Sequence, residues 1–255
     1  MIFRWWARRR RLKLLAKPVP ETWAAHLERE LEHWSRLSDD DRARLLHIAR
    51  VLMAEKRWEG CGGLELTEMR RLTLAVQAGT LLLGLEHDYY RNVQSVLVYP
   101  DGYEIPQRHE MGILAPSQRA VLGHAQLRGP VVLSWRSARA GGRDADDGRN
   151  LVYHEFAHKL DMLDGVVDGT PPIGDRAALV RWIAVMTDAF EALKADAARG
   201  RPSLVDHYGA TDVAEFFACA TEAFFEKPRQ MEEKAPALYE VLKDFYGQHP
   251  ANWRR

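Results

Sequence analysis

Apolar and polar positions follow two periods along the chain, and these predict a mainly helical protein with strands in its middle third. Apolar residues recur at helical spacing over residues 38–57, 67–83, 176–198, 212–226 and 236–246. Short runs of β-branched and aromatic residues predict strands at residues 93–99, 121–126 and 131–135. The pattern predicts an α+β fold, mostly helical with a small mixed sheet. Because the run at 131–135 precedes a loop that leads into another helix, we expect it to be the edge strand that borders this helix.

Polar residues interrupt the apolar helix that follows this loop, in the HExxH sequence at residues 154–158. Phe156 and the apolar residues at helical spacing from it predict that the back of the helix lies in the core. His154 and His158 are four residues apart, so their rings stand on the opposite face, one above the other, within reach of one ion. The spacing supplies two ligands of a tetrahedral zinc site, and it places Glu155 to act as the general base on a water.

A catalytic zinc needs a third protein ligand, and the sequence offers two kinds of candidate. Asp164 lies six residues after His158, where some HExxH enzymes place a ligand, but Asp161 occupies the position of the glycine that such a chain break requires. A later apolar helix carries Glu215 and Glu222 on one stripe, two turns apart. Because buried carboxylates need partners, we favour Glu215 as the ligand and expect Glu222 to contact either a histidine ring or the N-terminal arm of the same site.

Further polar positions bear on the same site. Tyr208 lies in a short polar stretch before the helix of Glu215, where its phenol can donate a hydrogen bond to an oxyanion that forms beside the metal. Its neighbour His207 is an alternative for this role or for a ligand, and a packed loop tyrosine is the competing interpretation. Asp161 shares the face of the two histidines and is either the acceptor of a ring N–H or a solvated helix residue.

Four segments resemble the Mlc titration factor A family of bacterial zinc peptidases, whose catalytic domain is similar to that of anthrax lethal factor. They are residues 96–100, 129–135, 154–161 and 206–218, and the resemblance extends over most of the chain from Leu37 onward. It implies a zincin-like fold and one zinc ion per chain, with His154, His158 and Glu215 as ligands. It also implies that Glu155 is the catalytic base, that the Tyr208 hydroxyl faces the reacting carbonyl, and that the enzyme is an aminopeptidase.

The family name refers to the sequestration of Mlc, a transcriptional repressor that controls glucose uptake. The resemblance therefore implies a regulatory role, with an Mlc-type repressor as a partner besides the peptide substrate. Two other functions stay open. One is a non-catalytic repressor-binding protein in which zinc only stabilises the fold. The other is a zinc amidase, because HExxH does not specify the leaving group. The chain departs from many glutamate-ligated zincins at Cys219, where an aspartate often follows the ligand by four residues. This leaves the hydrogen-bond partner of one histidine unassigned.

Composition indicates a soluble enzyme without direct affinity for nucleic acid. The chain has 255 residues, 36 of them basic and 36 acidic, and 46% are hydrophobic, which is enough for a sizeable core. Its two cysteines, Cys61 and Cys219, provide no disulfide framework, so we expect a reducing, cytoplasmic compartment. We expect a single zincin-like domain over residues 21–255.

Residues 1–20 form a separate basic segment, with arginines at 4 and 8–11, lysines at 13 and 17, and no acidic residue. Trp5, Trp6 and several leucines are interleaved with these charges. The segment is not a cleavable signal peptide, because no long apolar stretch follows the arginines, and no transmembrane segment is predicted elsewhere. We expect a flexible, solvated tail, with weak contact to an anionic membrane surface or an acidic partner as the alternative.

Overall fold

The computed structural model describes residues 2–102, 106–108, 114–116, 123–125 and 129–254. Its helices are α1 (Ile2–Leu15), α2 (Glu21–Glu30), α3 (Glu32–Arg36), α4 (Asp39–Glu55), α5 (Glu68–Thr80), α6 (Trp135–Arg143), α7 (Leu151–Asp161), α8 (Arg176–Ala198), α9 (Val213–Glu226), α10 (Pro228–Lys234) and α11 (Pro236–Tyr246). Its strands are β1 (Arg57–Gly60), β2 (Ser95–Tyr99), β3 (Pro106–Arg108), β4 (Leu114–Pro116), β5 (Gly123–Ala125) and β6 (Val131–Ser134). Short 3-10 helices lie at His207–Ala210 and Pro250–Asn252.

Side-chain caps explain where several helices begin. Ser38 accepts a hydrogen bond from the backbone N–H of Asp41 at 3.1 Å at the start of α4, and Asp212 accepts two backbone N–H groups, each at 2.9 Å, at the start of α9. The structure differs from the prediction at Trp135. We expected this residue to end a strand, but it is the first residue of α6, which follows β6 directly. Ser134 caps this helix by accepting the N–H of Ser137 at 3.2 Å.

The main sheet is mixed, as predicted, with the strand order β1-β2-β6-β5. The strands β1, β2 and β6 run parallel, and β5 runs antiparallel to β6. The strands β3 and β4 form a separate antiparallel pair. The prediction missed β1, because three of its four residues are exposed and show no apolar alternation.

The expectation that residues 131–135 form the edge strand is wrong. β6 is paired on both sides, since Val132 is opposite Leu97 of β2 and opposite His124 of β5. All four residues of β6 are buried, which is typical of a strand inside a sheet and not of one at its edge. The edge strand that borders α7 is β5.

One buried cluster extends from Trp23 to Ala251, and α7 packs against α9 within it. Phe156, on the back of α7, contacts Tyr90 with ring centroids 4.8 Å apart. Phe217 of α9 contacts Trp182 of α8 with ring centroids 5.6 Å apart. Because the aromatic faces of α7 and α9 are directed into the core, the polar stripes of the two helices meet each other.

Most of the segment for which we expected a flexible tail forms the helix α1, which contacts the rest of the protein. The guanidinium of Arg11 donates to both carboxylate oxygens of Glu55, each at 2.8 Å, and to Asp88 at 3.0 Å. Arg50 of α4 donates to the last two carbonyl oxygens of α1, where a helix lacks internal partners. These partners are distant in sequence, so the local pattern does not reveal them. None of the helices in the described part of the chain combines the length and the hydrophobicity that a membrane span requires.

Candidate metal centre

The two histidines of α7 approach each other closely. His154 Nε2 and His158 Nε2 lie 3.3 Å apart, and their rings meet edge to face with centroids 4.9 Å apart. Asn150 caps the helix, since its side chain accepts the N–H of Tyr153 at 3.1 Å. A capped helix with its back in the core therefore holds both ring nitrogens on one side, as the HExxH spacing predicts.

Glu215 of α9 completes a triangle of donor atoms with these histidines. Its Oε2 lies 3.0 Å from His154 Nε2 and 3.4 Å from His158 Nε2. Zinc bonds of about 2.0–2.1 Å in a tetrahedral arrangement separate neighbouring ligand atoms by about 3.3 Å, so the triangle fits a zinc ion. Burial acts to raise the pKa of Glu215, but hydrogen bonds with His154 and His158 outweigh it and hold the pKa below its ordinary value. The residue is thus a carboxylate, which is the form that binds a metal.

Asp164, the alternative third ligand, lies apart from this triangle. It is exposed after the end of α7, and its Oδ1 accepts the N–H of Val166 at 2.9 Å. Within the described residues, the group of possible metal ligands around His158 contains Glu215 and not Asp164. The carboxylate of Asp164 therefore stabilises the turn after the helix.

Glu222 of α9 contacts the other nitrogen of His154. His154 Nδ1 and Glu222 Oε1 lie 2.7 Å apart, and Glu222 Oε2 accepts the backbone N–H of Asn150 at 2.6 Å. A carboxylate that accepts the Nδ1–H leaves the lone pair of Nε2 on the metal side of the ring. The expected contact between Glu222 and a histidine ring is confirmed. It supplies the partner that was unassigned because Cys219 stands where an aspartate is common.

Glu155 is buried beside the triangle, with 4% of its surface exposed. Its Oε2 has no hydrogen-bond partner within the part of the chain that the structure describes. Burial raises the pKa of Glu155 to about 7, and the charges of His154 and His158 act in the opposite direction. A buried oxygen without a partner costs about 1–3 kcal/mol. A carboxyl group that exchanges its proton near neutral pH is suited to general acid–base chemistry.

Tyr208 stands at the open side of the site, 55% exposed, on the 3-10 helix before α9. Its ring centroid lies 6.0 Å from that of His154. Asp206 orients this turn, because it accepts the N–H of Tyr208 at 2.9 Å and pairs with Arg149 at 2.7 Å. Burial is the largest effect that raises the pKa of the phenol, so the hydroxyl remains a donor. His207 is exposed and belongs to no group of possible metal ligands among the described residues.

A model of the family described as glucose-regulated metallo-peptidase M90 matches residues 3–247. The chain belongs to this family. It is 32% identical to an uncharacterized protein of Synechocystis sp. over 253 residues, which cover 96% of this chain and 90% of that relative. It is also 32% identical to Mlc titration factor A of Edwardsiella ictaluri, over 91% of this chain and 88% of the relative. The identity to Mlc titration factor A of Yersinia pestis is 31%, over 84% and 80%. The resemblance found in the sequence is confirmed.

Two buried polar residues near the site of this M90 protein have other roles than the sequence indicated. Asp161 Oδ2 accepts the N–H of Gly169 at 3.1 Å, while its Oδ1 and His158 Nδ1 have no hydrogen-bond partner among the described residues. Asp161 therefore makes no hydrogen bond to a histidine ring in this structure. Asn150 was missed as a site residue, although it caps α7 and also donates from Nδ2 to Glu226 at 3.2 Å. An asparagine directly before an apolar helical run is the signal that identifies it.

Proposed function

We propose that this M90 protein is a zinc-dependent peptidase of the zincin type, with one zinc ion per chain bound by His154, His158 and Glu215. The observation that carries the proposal is the triangle of two ring nitrogens and one carboxylate oxygen, 3.0–3.4 Å apart. Zinc in such a site supplies Lewis acidity for carbonyl polarisation and water activation. Glu222 supports the proposal, because its hydrogen bond to His154 leaves Nε2 directed at the triangle.

Glu155 is the proposed general base. It lies on the same helix as the two histidines but outside the ligand triangle, and its buried Oε2 is an acceptor available to a water. In the first step, the carboxylate takes a proton from the attacking water. In the second step, the carboxyl group gives a proton to the nitrogen of the leaving amine when the peptide bond breaks.

Tyr208 is the proposed donor to the carbonyl oxygen that gains negative charge during the attack. Its position at the open side of the site, beside the ring of His154, supports this role. Because the negative charge appears only as the reaction proceeds, a hydrogen bond to it accelerates turnover more than it strengthens substrate binding.

The proposed substrate is an extended peptide that pairs with the sheet edge beside α7. Among the described residues, β5 pairs with β6 on one side and with no strand on the other. An extended peptide can add to such an edge through its backbone. The proposed specificity is for a free N-terminus, as in an aminopeptidase, and it rests on the resemblance to the Mlc titration factor A family.

A regulatory role is proposed from the relatives. Two of them are named Mlc titration factor A, and the family is described as glucose-regulated. We propose that the chain also binds an Mlc-type repressor, and that it does so in the cytoplasm. The free thiols of Cys61 and Cys219 are consistent with a reducing compartment. The same names support a second candidate function, that of a repressor-binding protein in which zinc only stabilises the fold.

The variant Glu155→Gln distinguishes these two functions. The amide keeps the shape of the side chain but cannot accept a proton, so turnover of peptides with free N-termini should fall at least about a hundredfold while the zinc content stays the same. Glu191→Gln on the exposed side of α8 is the matched control. Unchanged turnover in Glu155→Gln would favour the binding protein. Equal turnover of free and N-terminally blocked peptides by the unmodified protein would exclude aminopeptidase specificity.

A further inference from the structure

The outward side of α1 combines exposed apolar and cationic side chains. Trp5, Trp6 and Leu12 are 51%, 61% and 61% exposed. The two tryptophan rings meet edge to face with centroids 5.3 Å apart, and the guanidinium of Arg9 lies 4.5 Å from the centre of the Trp5 ring. We define the α1 outer face as Trp5, Trp6, Arg9, Arg10, Leu12 and Lys13.

The opposite side of α1 is fixed to the rest of the protein. Arg11 pairs with Glu55 and Asp88, and its guanidinium lies 4.3 Å from the centre of the Tyr89 ring. At 100° per residue, the positions of Trp5 and of residues 9, 12 and 13 fall on the side of the helix away from Arg11. Docking of α1 on the protein therefore leaves the outer face directed to solvent.

The distribution of charge adds an independent constraint on what binds this face. Residues 1–20 contain seven basic residues and no acidic one. Because the 36 basic and 36 acidic residues of the whole chain balance, the remaining residues carry a net negative charge. The positive charge is thus concentrated in and around α1, and an anionic surface attracts this side of the molecule in preference to others.

Indole rings interleaved with arginine and lysine are typical of the headgroup layer of a bilayer, where an apolar ring and its N–H both find partners. A helix of 14 residues is about 21 Å long, too short to cross the hydrocarbon core. The chemistry therefore favours a helix that lies in the plane of an anionic membrane surface. Duplex nucleic acid would also attract the cations, but it offers no apolar layer for two exposed indoles and an exposed leucine on the same face. An acidic protein is the competing partner, and the test below includes it.

We propose that the α1 outer face docks this protein on an anionic lipid bilayer. The two indoles enter the headgroup region, and the cationic side chains lie against lipid phosphates and carboxylates. The contact is peripheral, and it is independent of the proposed peptidase activity because no residue of the metal centre belongs to the face.

The test is co-sedimentation of the full-length protein with vesicles of phosphatidylcholine alone or mixed with phosphatidylserine. The protein should partition onto the phosphatidylserine vesicles and dissociate as salt is raised, because exposed charges are screened. Trp5→Ala with Trp6→Ala, and separately Arg9→Glu with Arg10→Glu, should each lower the partition coefficient at least about tenfold. Tryptophan fluorescence gives a second measurement, because indoles that enter a bilayer emit at shorter wavelength. The chain has eight tryptophans, so the contribution of Trp5 and Trp6 is obtained by subtracting the shift seen in the variant that lacks both.

Matched pairs on other exposed surfaces serve as controls. Val180→Ala with Ile183→Ala removes exposed apolar side chains from α8, and Arg199→Glu with Arg201→Glu makes the same change in net charge after that helix. Both pairs should bind vesicles like the unmodified protein, and circular dichroism checks that every variant is folded. The proposal is overturned by a lack of binding to phosphatidylserine vesicles or by an equal loss in the control pairs. Binding to duplex DNA or to an acidic peptide without binding to vesicles also overturns it.

Discussion

Replacement of Glu222 by glutamine should weaken metal binding, although Glu222 is not a proposed ligand. Its two oxygens accept one hydrogen bond each, from His154 Nδ1 at 2.7 Å and from the N–H of Asn150 at 2.6 Å. Glutamine has a single carbonyl oxygen, so its amide nitrogen must face one of these two donors. Either the histidine ring loses the partner that fixes its tautomer, or the start of α7 keeps a buried N–H without an acceptor.

The size of the expected effect depends on which of the two hydrogen bonds is lost. Loss of the carboxylate partner of a metal-binding histidine lowers metal affinity about 10–100-fold, which corresponds to about 1.4–2.7 kcal/mol. If the amide nitrogen faces Asn150 instead, the unsatisfied N–H costs about 1–3 kcal/mol of folding free energy. The assay therefore measures two quantities: zinc affinity by competition with a chromophoric chelator, and the free energy of unfolding of the metal-free protein in urea.

Glu226→Gln is the matched control. Glu226 lies one turn further along α9 and accepts a hydrogen bond from the side chain of Asn150 at 3.2 Å. Burial raises the pKa of Glu226 to about 10, so its carboxyl group is neutral at pH 7 and glutamine closely matches its shape and charge. Zinc affinity should therefore stay the same in this variant. The reasoning is refuted if Glu222→Gln retains both zinc affinity and stability, or if Glu226→Gln loses as much affinity.

The remaining predictions concern separate residues in and around the site. The pKa of Glu226 lies above the ordinary value of 4.5, so this group by itself should lower the stability of the protein by up to about 1.4 kcal/mol per pH unit as pH rises from about 5 towards 9. In urea unfolding at several pH values, Glu226→Gln should make the dependence of stability on pH less steep by this amount, and an unchanged slope would contradict the neutral carboxyl. Tyr208→Phe should reduce kcat, by about 3 kcal/mol of transition-state stabilisation, with little change in KM. A raised KM at normal kcat would make Tyr208 a substrate-packing residue. Glu215→Ala should lose zinc in metal analysis while Asp164→Ala keeps it, and the reverse would make Asp164 the ligand.

Local patterns in the sequence were sufficient to predict the two helices of the site. The spacing of His154 and His158 and the apolar periodicity of residues 212–226 depend on residues within a few turns of each other, so they need no knowledge of the fold. Glu215 and Glu222 were found by a related argument, because two carboxylates on an apolar helix require partners once the helix is buried. The structure provides both partners at His154, one on each ring nitrogen.

The sheet was predicted only in part. The strand at residues 131–134 was recognised, but its position in the sheet was wrong, because a short apolar run has the same appearance at the edge and in the interior. The strand β1 was not predicted, because its side chains are mostly exposed. Its position in the sheet is determined by pairing with β2. Strand order depends on which segments meet, and a single segment carries little information about that.

The sequence by itself determined which residues stand on which helix and which of them are candidate metal ligands. Only the tertiary structure decided that Glu222, and not Asp161, holds a histidine ring, and that Arg11 docks α1 on Glu55. The first contact joins residues that are 68 positions apart in the sequence, and the second joins residues that are 44 positions apart. Periodicity identifies the buried face of a helix but not the element that covers it. A hydrogen bond needs two atoms within about 3 Å, and between distant segments such a distance is set by the packing of the whole core.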